Sequence, residues 1–91
     1  MNDDQILQAK TQLANIIAET VRATHPMAET IANLGLEQER AAQLLCCNAE
    51  GFILDELFRI LNKLGLDVII TIVRAQENRP GCIRVARATE V

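Results

Sequence analysis

The chain has almost no aromatic side chains and no serine. Two phenylalanines are its only aromatic residues, and its 91 residues include one histidine. Modules that stack RNA bases on exposed aromatic rings are therefore disfavoured. A serine nucleophile is absent, and the adjacent acidic residues Asp55 and Glu56 would point about 100° apart on a helix. We therefore expect no catalytic residue and no enzymatic activity.

Long apolar runs and metal-binding cysteine patterns are also missing. No apolar stretch reaches the length of a membrane span, and no signal peptide is recognisable. The cysteines are three, Cys46, Cys47 and Cys82, and the adjacent pair lacks the spacing of a zinc site. We expect a reduced, cytoplasmic protein with no metal, no cofactor and no membrane contact.

Positive charge is scarce except near the end of the chain. The formal net charge is −3, whereas a nucleic-acid-binding protein is usually basic. Residues 74–91 nevertheless hold four arginines, Arg74, Arg79, Arg84 and Arg87, against two glutamates. This basic end is a candidate for contacts with phosphates or with an acidic partner, and the alternative is an ordinary solvated tail.

Aliphatic residues dominate what is present, and most recur with helical spacing. Hydrophobic residues make up 49% of the chain, enough for one domain with a modest core. Apolar positions three to four residues apart predict helices over about 4–23, 26–34, 37–47 and 54–65. The second and third of these meet at Gly35, which suits the left-handed conformation that ends a helix. Two short helices joined by a glycine turn have the outline of a helix-turn-helix.

The periodicity changes after Gly65. Residues 66–74 are rich in β-branched side chains and alternate along the chain, which predicts a strand. Residues 78–81 form a turn signal, and residues 82–87 predict a shorter return strand. An exposed apolar strand invites pairing, so we expect two chains to pair through one face of the strand: Leu66, Val68, Ile70 and Ile72. The alternative is a monomer whose hairpin folds onto the helices.

Several runs of sequence resemble one family. The helix pair reads AETIANLGL (28–36) and EQERAAQLL (37–45), and the next helix reads FILDELFRILNKLG (52–65) followed by LDV (66–68). These runs resemble the Cro/lambda-repressor-like regulators, also called the XRE family, and above all the small members, including antitoxins, that end in a β-strand. The resemblance extends over about residues 13–74, and the part from Phe52 to Val68 is its more specific portion.

The resemblance implies a fold and a site. The fold would be mainly α, a four- to five-helix lambda-repressor-like domain over residues 1–65. Residues 66–91 would form a C-terminal strand or hairpin, paired across a homodimer, with a basic tail. Gln38 and Arg40 match groove-contacting positions, Gln43 follows one turn later, and Glu37 and Asn48 match positions at the two ends of the recognition helix. The alternative is that these are ordinary solvent-facing residues.

Two functions follow from this pattern. The first is a dimeric, bacterial-type transcriptional regulator, repressor-like or antitoxin-like, that reads a palindromic DNA operator. The second is a helix-turn-helix protein without DNA binding that pairs with another protein, such as a toxin or a related chain. Residues 26–47 hold one basic and three acidic side chains, which favours the second function, whereas Gln38 and Arg40 at matching positions favour the first.

Overall fold

Four helices make up the regular structure of the computed structural model, which describes residues 3–76 and 78–87. They are α1 (Asp3–Ala23), α2 (Met27–Asn33), α3 (Gln38–Leu45) and α4 (Leu54–Lys63). The predicted mainly helical class and the four predicted helices therefore agree with the structure to within about three residues at each end. Such differences are ordinary for helix termini.

The long helix α1 organises the others, because α2, α3 and α4 all pack against it. The buried residues of α1 recur with helical spacing, and Ile17 and Val21 among them are completely buried. Leu44 of α3, Leu57 of α4 and Phe52 from the loop between them complete the centre of the core. Phe52 supplies volume that aliphatic side chains alone leave unfilled, since burial of one aromatic removes a large apolar area from water.

Two glycines end helices where the sequence predicts. Gly35 follows α2 with φ 72° and Gly65 follows α4 with φ 86°. Both lie in the left-handed region that a side chain disfavours, so each terminates its helix at low cost. Cys47 has φ 63° just after α3 and plays the corresponding part there without being a glycine.

The predicted C-terminal strand and hairpin are wrong. Residues 66–76 and 78–87 contain no strand, so this part of the chain, which we call the C-terminal segment, has no ladder of backbone hydrogen bonds. A strand needs a neighbour for its amides and carbonyls, and β-branched composition alone does not provide one. The expected pairing of strands across a homodimer falls with this correction, as does the alternative of a hairpin folded on the helices.

The return half of the segment finds its partner in α1 instead. The Ile83 amide donates to Gln5 Oε1 at 3.0 Å, and the Arg87 guanidinium contacts Glu19 Oε1 at 2.7 Å. Val85, between them, packs against the core. Residues 83–87 therefore lie along α1 rather than beside residues 66–74, which removes the second strand of the expected hairpin.

The four predicted dimer-forming side chains do not share one environment. Leu66 and Val68 are half-buried and pack against the helical core. Ile70 and Ile72 are 69% and 87% exposed, and their neighbours Ile69 and Val73 are exposed as well. Only the second half of the predicted apolar face is therefore open to a partner. The rest of the basic tail, residues 88–91, lies outside the described residues.

Candidate nucleic-acid interface

The helix pair α2–α3 is held to the rest of the domain by a few buried side chains. α3 buries Ala41 and Leu44, and Leu34, at the end of α2, is 3% exposed. No residue of α2 itself is buried. The turn at Gly35 therefore places two short helices against α1, and most of their surface remains open to solvent.

The residues predicted to contact DNA lie along α3 and at its ends. Glu37 and Gln38 are exposed at its N-terminus, and Gln43 is half-buried. Glu37 is the N-cap residue, but its side chain makes no capping hydrogen bond. Asn48 is exposed beyond the helix, where its Oδ1 accepts a hydrogen bond from the Glu50 amide at 3.4 Å. These four positions therefore lie on one helix and its flanks, open to solvent to different degrees.

Arg40, the remaining predicted contact, is engaged within the domain. Its guanidinium makes two hydrogen bonds to the Glu56 carboxylate, at 3.0 and 3.2 Å, and a third to the Gly51 carbonyl at 3.0 Å. The guanidinium carbon also lies 4.1 Å from the centre of the Phe52 ring, a cation–π arrangement. Arg40 therefore joins α3 to the loop before α4 and to the first turn of α4.

Charge couples the two partners of this ion pair. The hydrogen bond from Arg40, followed by one from the Ile53 amide, lowers the pKa of Glu56 below its ordinary value. The same hydrogen bond raises the pKa of Arg40, and the nearby Glu37 charge adds to that effect. Because both side chains are about one-third exposed, solvent screens the pair and its contribution to stability is modest.

Two further cations close the C-terminal ends of the helix pair. Arg22 of α1 donates to the Leu45 carbonyl at 2.8 Å, and Lys63 of α4 donates to the Leu34 carbonyl at 3.1 Å. These carbonyls belong to the last turns of α3 and to the end of α2, where positive charge stabilises the helix dipole. Sequence analysis missed both contacts, because the partners are 23 and 29 residues apart and no local pattern connects them.

The outward surface of α3 is acidic. Glu39 is exposed, as are Ala42 and Cys46 further along the same side. Glu39 makes no hydrogen bond or ion pair with the described part of the chain, and sequence analysis did not name it as a candidate. The exposure of Glu39 could have been predicted from helical spacing, because Ala41 and Leu44 face the core and Glu39 then faces away from it.

Within the described residues, the C-terminal segment holds three arginines that make no ion pair. Arg74 and Arg84 are exposed, and the hydrogen bonds that Arg79 makes in this part of the chain go to the Pro80 carbonyl and Cys82 Sγ. Arg87, by contrast, is paired with Glu19. Positive charge available to a phosphate therefore lies mainly outside the helix pair.

Residues 3–76 and 78–87 contain neither a cluster of metal ligands nor a helix that could cross a membrane. No group of three or more His, Cys, Asp or Glu side chains comes together there as a metal site would require. None of the helices in this part of the chain combines the length and apolar character of a bilayer-crossing helix.

Comparison with known protein families identifies a match for most of the chain. Residues 1–73 match a family model described as a helix-turn-helix domain. The matched region includes all four helices and ends within the exposed apolar residues that follow them. No curated protein and no solved structure matches the chain.

Proposed function

The chain belongs to the helix-turn-helix domain family, and from that premise we propose that it is a DNA-binding transcriptional regulator. The observation that carries the proposal is the family match over residues 1–73, together with the solvent-exposed α3. In this fold the second helix of the pair enters the major groove and the first crosses the backbone. α3 is the second helix here, and its outer surface is unobstructed by the described part of the chain.

Base contacts come from side chains on α3 and its flanks. Gln38 and Gln43 pair with base edges, because a glutamine side chain matches the donor and acceptor of adenine. Glu37 and Asn48 lie at the two ends of the helix and contact the DNA beside these bases. Arg40 acts by holding α3 at a fixed angle, since its guanidinium is already bonded to Glu56 and the Gly51 carbonyl.

Phosphate contacts come mainly from the C-terminal segment. Its exposed arginines, Arg74 and Arg84 among them, supply positive charge, since α2 has none and the one cation of α3, Arg40, is paired with Glu56. Each phosphate neutralised by such a side chain releases counterions, so binding weakens as salt rises. The net charge of −3 opposes non-specific binding, and base contacts then account for a larger share of the affinity.

Two copies act together. Ile70 and Ile72, with Ile69 and Val73, expose apolar surface that a second copy would cover. Leu66 and Val68, the other predicted dimer contacts, pack on the core and so anchor the start of this exposed stretch to the domain. A two-fold dimer would place two copies of α3 about 34–36 Å apart, so the operator is a palindrome. Membership of the XRE group, an antitoxin role, a bacterial-type origin and the cytoplasmic location stay predictions, as does the absence of catalysis.

A second candidate function is a protein-interaction module on the same fold. The observation that favours it is that the chain exposes both acidic side chains on α2 and α3 and aliphatic side chains at residues 69–73. Glu29 and Glu39 are exposed and make no ion pair with the described residues. Such a protein would bind a toxin or a related chain through Ile69–Val73 and would not bind DNA.

A selection experiment separates the two functions. The purified chain is incubated with a pool of random duplexes at low and moderate salt, and the bound DNA is sequenced. We expect one enriched palindromic motif whose binding weakens at the higher salt. Gln38→Ala should change or weaken the motif, while Gln8→Ala, an exposed glutamine on α1, should leave it unchanged. No binding at micromolar protein and low salt would contradict DNA recognition and favour the second candidate.

The dimer has its own test. Sedimentation equilibrium of the wild type should show a monomer–dimer equilibrium that Ile72→Asp abolishes. Gln76→Asp, which introduces the same charge at an exposed polar position, should leave the equilibrium close to that of the wild type. A wild-type chain that stays monomeric at high micromolar concentration would contradict self-association through these residues.

A further inference from the structure

The outward direction of α3 is fixed by the two residues it buries. Ala41 and Leu44 face the core, at 6% and 1% exposed. With about 100° between successive residues, Glu39 lies roughly 160° from Ala41 and 140° from Leu44 around the helix axis. Glu39 therefore points away from both and occupies the middle of the outward surface.

The predicted readers lie to either side of this position. Gln38 falls about 60° from the direction of Ala41, so it lies at the edge of the outward surface. Gln43 lies about 100° from Leu44 and about 40° from Glu39, on the other side of Glu39 from Gln38, and is half-buried. Cys46, which also points outward, follows the last residue of the helix. The side chain that enters a groove first is therefore that of Glu39.

The Glu39 carboxylate is also uncommitted. Among residues 3–76 and 78–87 it has no hydrogen bond and no ion pair, in contrast to Glu56, which is held by Arg40, and Glu19, which is held by Arg87. A carboxylate accepts hydrogen bonds and donates none at neutral pH. In the major groove the base edge that offers it a donor without an adjacent acceptor on the same base is the N4 amine of cytosine.

We propose that Glu39 determines specificity by accepting a hydrogen bond from the N4 amine of a cytosine in each half-site. The inference rests on the proposed DNA binding. Gln38 and Gln43 then read positions beside that cytosine. The acidic character of α3 serves selectivity, because a phosphate or a guanine O6 at the same position would repel the carboxylate and leave it desolvated without a donor.

The test compares three chains that differ by one charge. The DNA motifs enriched from a random pool are sequenced for the wild type, Glu39→Gln and Glu50→Gln. Glu50 is exposed beyond α3, and its substitution removes the same negative charge without altering the outward surface of the helix. Circular dichroism and thermal melting of all three chains check that the fold is unchanged.

We expect the wild-type motif to contain a cytosine in each half-site. Glu39→Gln should shift that position toward adenine by about fivefold or more, because glutamine pairs with the adenine edge. A fourth chain, Glu39→Ala, selected and checked for its fold in the same way, should lose the preference without gaining one for adenine. Glu50→Gln should keep the wild-type motif and alter only overall affinity and salt dependence.

Two failures are distinguishable. A wild-type chain that enriches no motif would overturn the proposed function and the inference with it. A wild-type motif that Glu39→Gln leaves unchanged, or one with no cytosine in the half-site, would overturn the inference alone, since DNA recognition would then persist through other side chains.

Discussion

Residues 3–65 and the C-terminal segment are both rich in aliphatic side chains, yet they reach opposite outcomes. In the helical part, each helix satisfies its own backbone hydrogen bonds, and its apolar face packs on α1. In the C-terminal segment, the β-branched residues have no neighbouring strand, and Ile69 and Ile72 are 83% and 87% exposed. A helical sequence can satisfy its backbone hydrogen bonds by itself, whereas a strand-like sequence forms a strand only when a second strand pairs with it.

The same contrast applies to charge. In the helical part, Arg22, Arg40 and Lys63 each bond to a carbonyl or carboxylate of another element. In the C-terminal segment, Arg74 and Arg84 remain exposed. Cations of the first group hold α2 and α3 to the rest of the domain, and those of the second group make no ion pair with the described residues.

The largest expected effect is on the core. Phe52→Ala should lower the free energy of unfolding by about 3–5 kcal/mol, because it leaves a cavity beside Leu44 and Leu57. Ile72→Ala, at an exposed position, should change it by less than about 0.5 kcal/mol. Urea unfolding at a protein concentration where the chain is monomeric measures both. Equal losses for the two variants would break the distinction between the two parts of the chain.

A smaller effect is expected at the ion pair between α3 and α4. Arg40→Ala should cost about 1–2 kcal/mol, since it removes a bidentate pair and a hydrogen bond to a carbonyl. Arg59→Ala is the matched control, because Arg59 is 3.8 Å from Asp55 and both side chains are largely exposed. We expect the control to lose less than about 0.5 kcal/mol in urea unfolding.

The pH dependence of this pair has a definite sign. The pKa of Glu56 is lowered in the folded chain, so the ionised form is the one that folding favours. Its stabilisation is complete above the unfolded glutamate pKa of about 4.3 and is lost as pH falls through the lower folded value. Glu56→Gln should therefore be less stable than the wild type at neutral pH, and the difference should shrink in acid. A difference independent of pH would contradict this assignment.

The smallest expected effect concerns the end of α4. Gly65→Ala should cost about 1 kcal/mol, since φ 86° is disfavoured for alanine although its Cβ would meet no atom within 4 Å. Gly51→Ala has the same open surroundings without a positive φ, so we expect little change or a slight gain. Thermal melting of the two variants measures the strain separately from packing. Equal melting temperatures would mean that α4 does not need its glycine.

Sequence periodicity was enough to locate the helices. The spacing of Leu57 and Leu61 in α4 and the glycines at 35 and 65 are local signals, and the structure agrees with each. The strand prediction failed because a strand requires a second strand to pair with, and the sequence of residues 66–74 does not show whether one is present. The return segment instead uses the side chain of Gln5, 78 residues away, which no local pattern reveals.

The sequence predicted the position of the candidate site but not the contacts that its side chains make. The helix pair and the exposure of Gln38 follow from spacing and from the resemblance. The role of Arg40 did not follow, because its acidic partner lies 16 residues further along the chain and only the packing of α3 and α4 on α1 brings them together. Glu39 did not follow from the resemblance, which matches its neighbours Gln38 and Arg40 to groove-contacting positions. The outward direction of α3 depends instead on which of its residues the core buries.

The most direct test of the central claim, that α3 is the surface that reads DNA, is a map of amide shifts. The enriched duplex is added to the isotopically labelled chain, and the backbone amide spectrum is followed by NMR. We predict that the amides of α3 and those around Arg74 and Arg84 shift most, while the amides along α1 that face the C-terminal segment shift little. Shifts confined to residues outside α3, with the α3 amides unaffected, would contradict the claim.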